Sequence, residues 1–77
     1  MVVTGYTIRL RTIPFAKAML LAGFRSDYVL SKAMGVNRTT VTRVRTGELN
    51  PGAAFVAGAL TALSPLDFDD LFEIVRP

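Results

Sequence analysis

Asp27-Tyr-Val-Leu-Ser-Lys-Ala-Met-Gly35-Val-Asn37-Arg-Thr-Thr-Val-Thr-Arg-Val-Arg-Thr-Gly47 is the stretch that decides the fold. Apolar residues fall at Leu30, Met34, Val36, Val41 and Val44, with Gly35 between them and a small residue, Ser31, one turn before the glycine. This spacing predicts two short helices meeting at a sharp turn. Ser26 caps the first, Asp27 sits at the positive end of its dipole, and Val29, Leu30, Ala33 and Met34 supply a buried stripe. Gly35 ends that helix, because a left-handed backbone there is cheap only for glycine. Asn37 caps the second helix, Arg38 to Thr46, and Gly47 closes it.

The faces of the second helix follow from its period of about 100° per residue. Val41 and Val44 lie within roughly 60° of each other and face the core. Thr39, Thr42, Arg43 and Thr46 follow i, i+3, i+4, i+7 spacing and cluster on the opposite side. That side offers hydroxyls, methyls and a guanidinium, and it carries no acid. Arg matches guanine O6 and N7, and Thr matches a thymine methyl or an acceptor, so the chemistry suits base edges. Arg38 and Arg45 fall on one flank, placed for phosphates, and Arg38 in the first turn could also reach the groove. A tight helix pair of this kind, with its second helix shaped for the DNA major groove, is the pattern of a helix-turn-helix. The plain alternative is a solvated helix, but a solvated face normally mixes signs, and no acid occurs between Lys32 and Glu48.

Outward from this pair, residues 6–11 alternate Tyr6, Ile8, Leu10 against Thr7, Arg9, Arg11, which reads as a short strand. Its partner is either Glu73-Ile74-Val75-Arg76 or the same strand of a second subunit. Pro14 suits a first helical turn, and the apolar run from Phe15 to Ala22 stops at Gly23. A fourth helix starts at Asn50-Pro51 and runs to Leu63. Asp67 caps a fifth, from Phe68 to about Val75, with Asp69 and Asp70 in its first turn. The expectation is an all-α single domain over residues 1–77, five helices with a short N-terminal β-strand or arm in residues 1–13 and the helix-turn-helix in 26–47.

Composition narrows the function. The 77 residues contain no Cys, His or Trp, which removes disulfides, a Cys/His zinc site, thiol nucleophiles and a histidine base. The acids Asp67, Asp69 and Asp70 group as helix-capping carboxylates with no catalytic partner, so neither an enzyme nor a metal or organic cofactor is expected. The net charge of +3 hides a segregation. Residues 1–47 hold eight basic groups against Asp27 alone, a balance of +7, while residues 48–77 stand at −4. One surface is thereby suited to a polyanion. The uncharged stretch from Leu49 to Leu66 is interrupted by Pro51, Gly52 and Pro65, so no membrane span is expected. Arg9 and Arg11 before Ile13-Pro14-Phe15-Ala16 faintly suggest a targeting segment, but Lys17 breaks the apolar run; a cytoplasmic protein is expected.

Leu20-Leu-Ala-Gly-Phe24, Leu30-Ser-Lys-Ala-Met-Gly-Val-Asn-Arg-Thr-Thr-Val-Thr-Arg-Val-Arg-Thr-Gly-Glu-Leu-Asn-Pro51, Leu60-Thr-Ala-Leu63 and Leu66-Asp-Phe-Asp-Asp-Leu-Phe72 together resemble the Cro/repressor (XRE-type) helix-turn-helix family, over about residues 14–73. The resemblance implies that Asn37, Arg38, Thr39 and Arg43, with Thr42 adjacent, contact DNA bases. It also implies that Ser26 and Asp27, and then Thr46 and Gly47, meet phosphates through backbone N–H groups. Arg45, Arg25 and Lys17 would add side-chain contacts to the backbone. Three departures stand out: Arg25 is an extra residue between the first two helices; Asp27 replaces a Gln or another neutral group, and an acid near phosphate is unfavourable unless it caps or orients an Arg; and residues 1–13 lie outside the family core.

The expected function is a sequence-specific regulator of transcription that binds double-stranded DNA through the major groove. It would act as a repressor occupying a near-palindromic operator as a homodimer, with so short a chain leaning toward a phage Cro-like protein. One module neutralises few phosphates, which argues for two. The N-terminal strand, the fourth helix or the fifth helix could join them, and the strand is favoured because an open apolar edge is a liability. On the fourth helix, Val56, Leu60 and Leu63 are expected in the core, and Ala54, Gly58, Thr61 and Ala62 form an outward stripe of small groups. The alternatives are an antitoxin or anti-repressor that binds a protein partner, and a recombination accessory factor that bends DNA.

Overall fold

The computed structural model describes residues 5–76. The order is β1 (Thr7–Leu10), α1 (Thr12–Leu21), α2 (Asp27–Met34), α3 (Arg38–Arg45), α4 (Ala53–Ala62), α5 (Phe68–Leu71) and β2 (Phe72–Val75). The chain is mostly helical, with one two-stranded antiparallel sheet. Residues 1–4 of the expected N-terminal arm lie outside the described residues. None of the described helices is long and apolar enough to cross a membrane.

The fifth helix corrects the sequence reading. It ends at Leu71 rather than near Val75, and Phe72–Val75 is a strand. The Asp67 side chain and the Asp70 carboxylate form a reciprocal capping box, so the start was legible. The end is set by tertiary pairing: β2 runs antiparallel to β1 with Ile8 opposite Ile74 and Leu10 opposite Phe72. Arg11 secures the junction, its backbone N–H donating to the Leu71 carbonyl at 2.8 Å and its Nε to the Phe72 carbonyl at 3.1 Å. Of the two partners considered for the N-terminal strand, the C-terminal segment is the one it takes. A β-branched Ile-Val pair gains more from that ladder than from one further helical turn.

The helix α1 begins at Thr12, earlier than its apolar run, because Pro14 falls within the first turn, where a missing N–H costs nothing. At the α2–α3 turn, Gly35 takes φ 73°, and the Val36 N–H donates back to the Ser31 carbonyl at 3.1 Å. Ser31 itself is buried and its hydroxyl donates to the Tyr28 carbonyl.

The core gathers Leu10, Phe15, Met19, Leu30, Met34, Val41, Val44, Phe55, Leu63, Leu71 and Phe72. Phe55 lies at its centre, with ring centroids 5.8 Å from Phe15 and 6.2 Å from Phe72. Leu63, at the C-cap of α4, is buried as expected, and Val56 and Leu60 pack partly buried against the core. Gly58 does not lie on an outward stripe. It is buried against α2, and a Cβ built there would stand 2.5 Å from the Met34 carbonyl oxygen. The backbone that approaches this small residue belongs to the same chain, so Gly58 is not open to a second subunit on the fourth helix. With no charge on any face, the large side chains mark the side of Val56, Leu60 and Leu63, but nothing in the pattern marks the small Gly58 as buried as well.

Gly58→Ala is accordingly expected to destabilise the fold. The clash is with backbone, and relieving it moves α4 off α2; this outweighs the roughly 1 kcal/mol by which alanine favours a helix over glycine. A net loss of about 1–3 kcal/mol, read as a fall of roughly 5–20 °C in thermal midpoint, is the expected outcome. Ala54→Ser, on the exposed side of the same helix, should move it little. An unchanged or raised midpoint for Gly58→Ala would show that α2 and α4 do not pack this closely.

Candidate nucleic-acid interface

Two side-chain caps set the geometry of the α2–α3 pair. The Ser26 hydroxyl accepts from the Val29 N–H at 3.2 Å, and the Asn37 side-chain oxygen accepts from the Thr39 N–H at 2.7 Å. Both helices therefore start where the sequence placed them. Val41 and Val44 are buried, which turns the rest of α3 outward. Arg38, Thr39, Thr42, Arg43 and Thr46 are exposed, and Asn37 is exposed at the cap.

The start of α2 and the outer face of α3 share a shallow groove lined by Ser26, Asp27 and Tyr28 on one side and Arg38, Thr39, Thr42 and Arg43 on the other. A second groove brings Lys32 and Asn37 alongside Tyr28, Arg38 and Thr39. The Lys32 ammonium lies 5.0 Å from the Tyr28 ring centroid, a cation–π contact that holds a positive charge on the rim. Four of the five base-contacting candidates line the first groove or its rim with an arginine at each end, and Asn37 lies in the second. Arg25 and Lys17 are exposed but line neither groove.

Backbone donors divide between the two ends of the site. In the first turn of α2, the N–H groups of Asp27 and Tyr28 meet no acceptor among the described residues, so they remain open to an anion. After α3 the opposite holds. Thr46 donates its N–H to the Thr42 carbonyl at 3.0 Å, and Gly47 donates to Val44 at 3.2 Å. The Thr46 hydroxyl donates to the Arg43 carbonyl. The family resemblance implied that Thr46 and Gly47 offer N–H groups to phosphate; as folded, those donors are already used to close the helix.

The charged side chains of α3 are partnered unequally. Arg43 Nε lies 3.7 Å from Glu48 Oε2, with both side chains more than half exposed. An exposed pair of this kind contributes only about 0–1 kcal/mol, so Arg43 leaves it readily for a stronger acceptor. Arg45 is half-buried and bonded to Asp27, and Asp27 also accepts a hydrogen bond of 2.8 Å from the Thr42 hydroxyl. Arg45 is therefore fixed at the seam between the helices rather than free on a flank beside Arg38, although the guanidinium retains other donors.

Sequence reasoning missed two features. The sequence allows for an arginine oriented by Asp27, but its identity as Arg45 and the sharing of the carboxylate with Thr42 join residues 18 and 15 positions away, a separation that no local pattern exposes. Arg9 and Arg11 border a groove together with Gly47 and Asn50, just past the end of α3. Their alternation with Ile8 and Leu10 marked them as the polar side of a strand, but only the pairing of β1 with β2 brings that side to the α3–α4 connection. Glu73, opposite Arg9 in the ladder, lines the same groove and offsets part of its charge. Comparisons with family models, curated proteins and solved structures returned no match to this chain, so its own geometry and charge carry the functional reading.

Proposed function

We propose that the protein is a sequence-specific double-stranded DNA-binding regulator of the Cro/repressor helix-turn-helix type, which inserts α3 into the major groove and represses by occupying its operator. The observation that carries this reading is the exposed ridge of Arg38, Thr39, Thr42 and Arg43, set in one groove beside the open N–H groups at the start of α2. The ridge supplies base-edge chemistry and the helix start supplies a phosphate anchor, the two components of docking that fix register and sequence. The +7 balance of residues 1–47 supports it by favouring a polyanion on this side of the chain.

A homodimer completes the proposal. Tyr6 and Ile74 are more than half exposed, and Ile74 extends the apolar side of the ribbon beyond Leu10 and Phe72. A second copy seated on this ribbon would bury them and present two copies of α3. Selection of bound duplexes from a random DNA pool tests both parts. The expected product is a near-palindrome whose half-sites lie about one helical turn, ~34 Å, apart, with affinity falling steeply as salt rises. A pool with no enriched motif would remove the reading, and an enriched but asymmetric motif would remove the two-fold dimer.

A further inference from the structure

Asp27 holds the two α3 side chains with different oxygens: Oδ1 accepts from the Arg45 guanidinium and Oδ2 accepts from the Thr42 hydroxyl. A carboxylate facing a guanidinium is an acceptor only, so the single hydroxyl proton of Thr42 is directed at Asp27. Thr42 remains exposed and lines the groove, where it presents oxygen lone pairs and a methyl group but no donor. Arg45, half-buried at the seam, fixes the carboxylate in this orientation.

We propose that Asp27 is a specificity-determining positioning residue: by taking the Thr42 proton it makes Thr42 an acceptor, so that Thr42 selects a base presenting an exocyclic amino group, adenine N6 or cytosine N4. Guanine, which offers O6 and N7 acceptors, is disfavoured at that place, and thymine, which offers O4, gains at most a methyl contact. The inference rests on the DNA-binding reading above. It also accounts for an acid standing close to where phosphates would lie, an unfavourable position for a carboxylate unless its charge is matched and its lone pairs are used.

The test is random-pool selection with the wild-type protein and with Thr42→Val, Thr42→Ser and Asp27→Asn, with thermal unfolding run on each. The wild type should enrich adenine or cytosine at one position of the half-site. Thr42→Val, nearly isosteric and exposed, should flatten that position alone, and Thr42→Ser should keep it. In Asp27→Asn the Arg45 guanidinium still requires an oxygen, which turns the amide NH2 toward Thr42 and releases the hydroxyl proton. The ratio of adenine plus cytosine to guanine plus thymine at that position should then fall at least fivefold. An Asp27→Asn protein that folds but loses affinity equally for every base would overturn the proposal, as would a wild-type preference for guanine at the position that Thr42→Val flattens. If Asp27→Asn does not fold, the Thr42→Val and Thr42→Ser pair still decides whether an accepting hydroxyl reads the base. A wild-type pool without any motif sinks the DNA reading and this inference together, and that outcome is recognised in the wild-type arm alone.

Discussion

Phe55→Ala is expected to cost the protein a large share of its folding stability, the greatest loss of any single truncation proposed for this chain. Phe55 is 2% exposed and its ring touches the aromatic rings of both α1 and β2, so its truncation opens a void among three elements at once. Removing a buried phenylalanine costs about 3–5 kcal/mol. A chain of 77 residues has a total stability of roughly 4–12 kcal/mol, so one such loss consumes much or all of the margin. No disulfide or described metal-ligand cluster stands in reserve, since the sequence has no cysteine and no group of candidate ligands gathers among the described residues. Phe55→Leu keeps most of the volume and should fold with a lowered midpoint. Urea unfolding followed by circular dichroism reads both, and a loss below 1 kcal/mol for Phe55→Ala would show that α4 does not anchor the core. Because Val41 and Val44 of α3 are buried in the same cluster, DNA binding should fall with the folded fraction.

The parts of the fold that were legible in the sequence are those fixed by neighbours a few residues away. Ser26, Gly35 and Asn37 each act on backbone groups within five positions, and the α2–α3 pair begins, turns and restarts where they stand. The outward set on α3 was equally legible, since two buried valines leave one side for the remaining residues. What failed was decided at a distance. No glycine or proline punctuates the chain from Phe68 to Val75, so the sequence predicts one continuous helix there, whereas β1, more than sixty residues earlier in the chain, draws Phe72–Val75 into a ladder. Gly58 belongs to a helix with no charge on any side, and only the approach of Met34 reveals that the face carrying this glycine is also inside. The candidate site divides the same way: its exposed ridge is local, whereas the bonds from Thr42 and Arg45 to Asp27 exist only once α2 crosses α3.

That division gives the arginines of α3 separate expected phenotypes. Among the described residues the Arg43 side chain is paired with exposed Glu48 alone; it projects from the ridge and can leave that pair for a bidentate contact with guanine O6 and N7. Arg43→Ala should therefore weaken operator binding by about 1–3 kcal/mol, roughly 5–150-fold, and relax preference at one base pair, with little change in thermal stability. Arg45→Ala acts elsewhere. It strips the partner from Asp27 and leaves a carboxylate uncompensated near the phosphates, so all sequences should bind more weakly and the thermal midpoint should drop as well. The salt dependence separates the two further: if the remaining Arg45 donors reach a phosphate, its removal flattens the slope of log affinity against log salt by about one. Titrations of operator and random duplexes at several salt concentrations measure each effect. Equal, sequence-blind losses from both substitutions would mean that Arg43 touches the backbone rather than a base, and the reading face of α3 would then have to be sought at Arg38, Thr39 and Asn37.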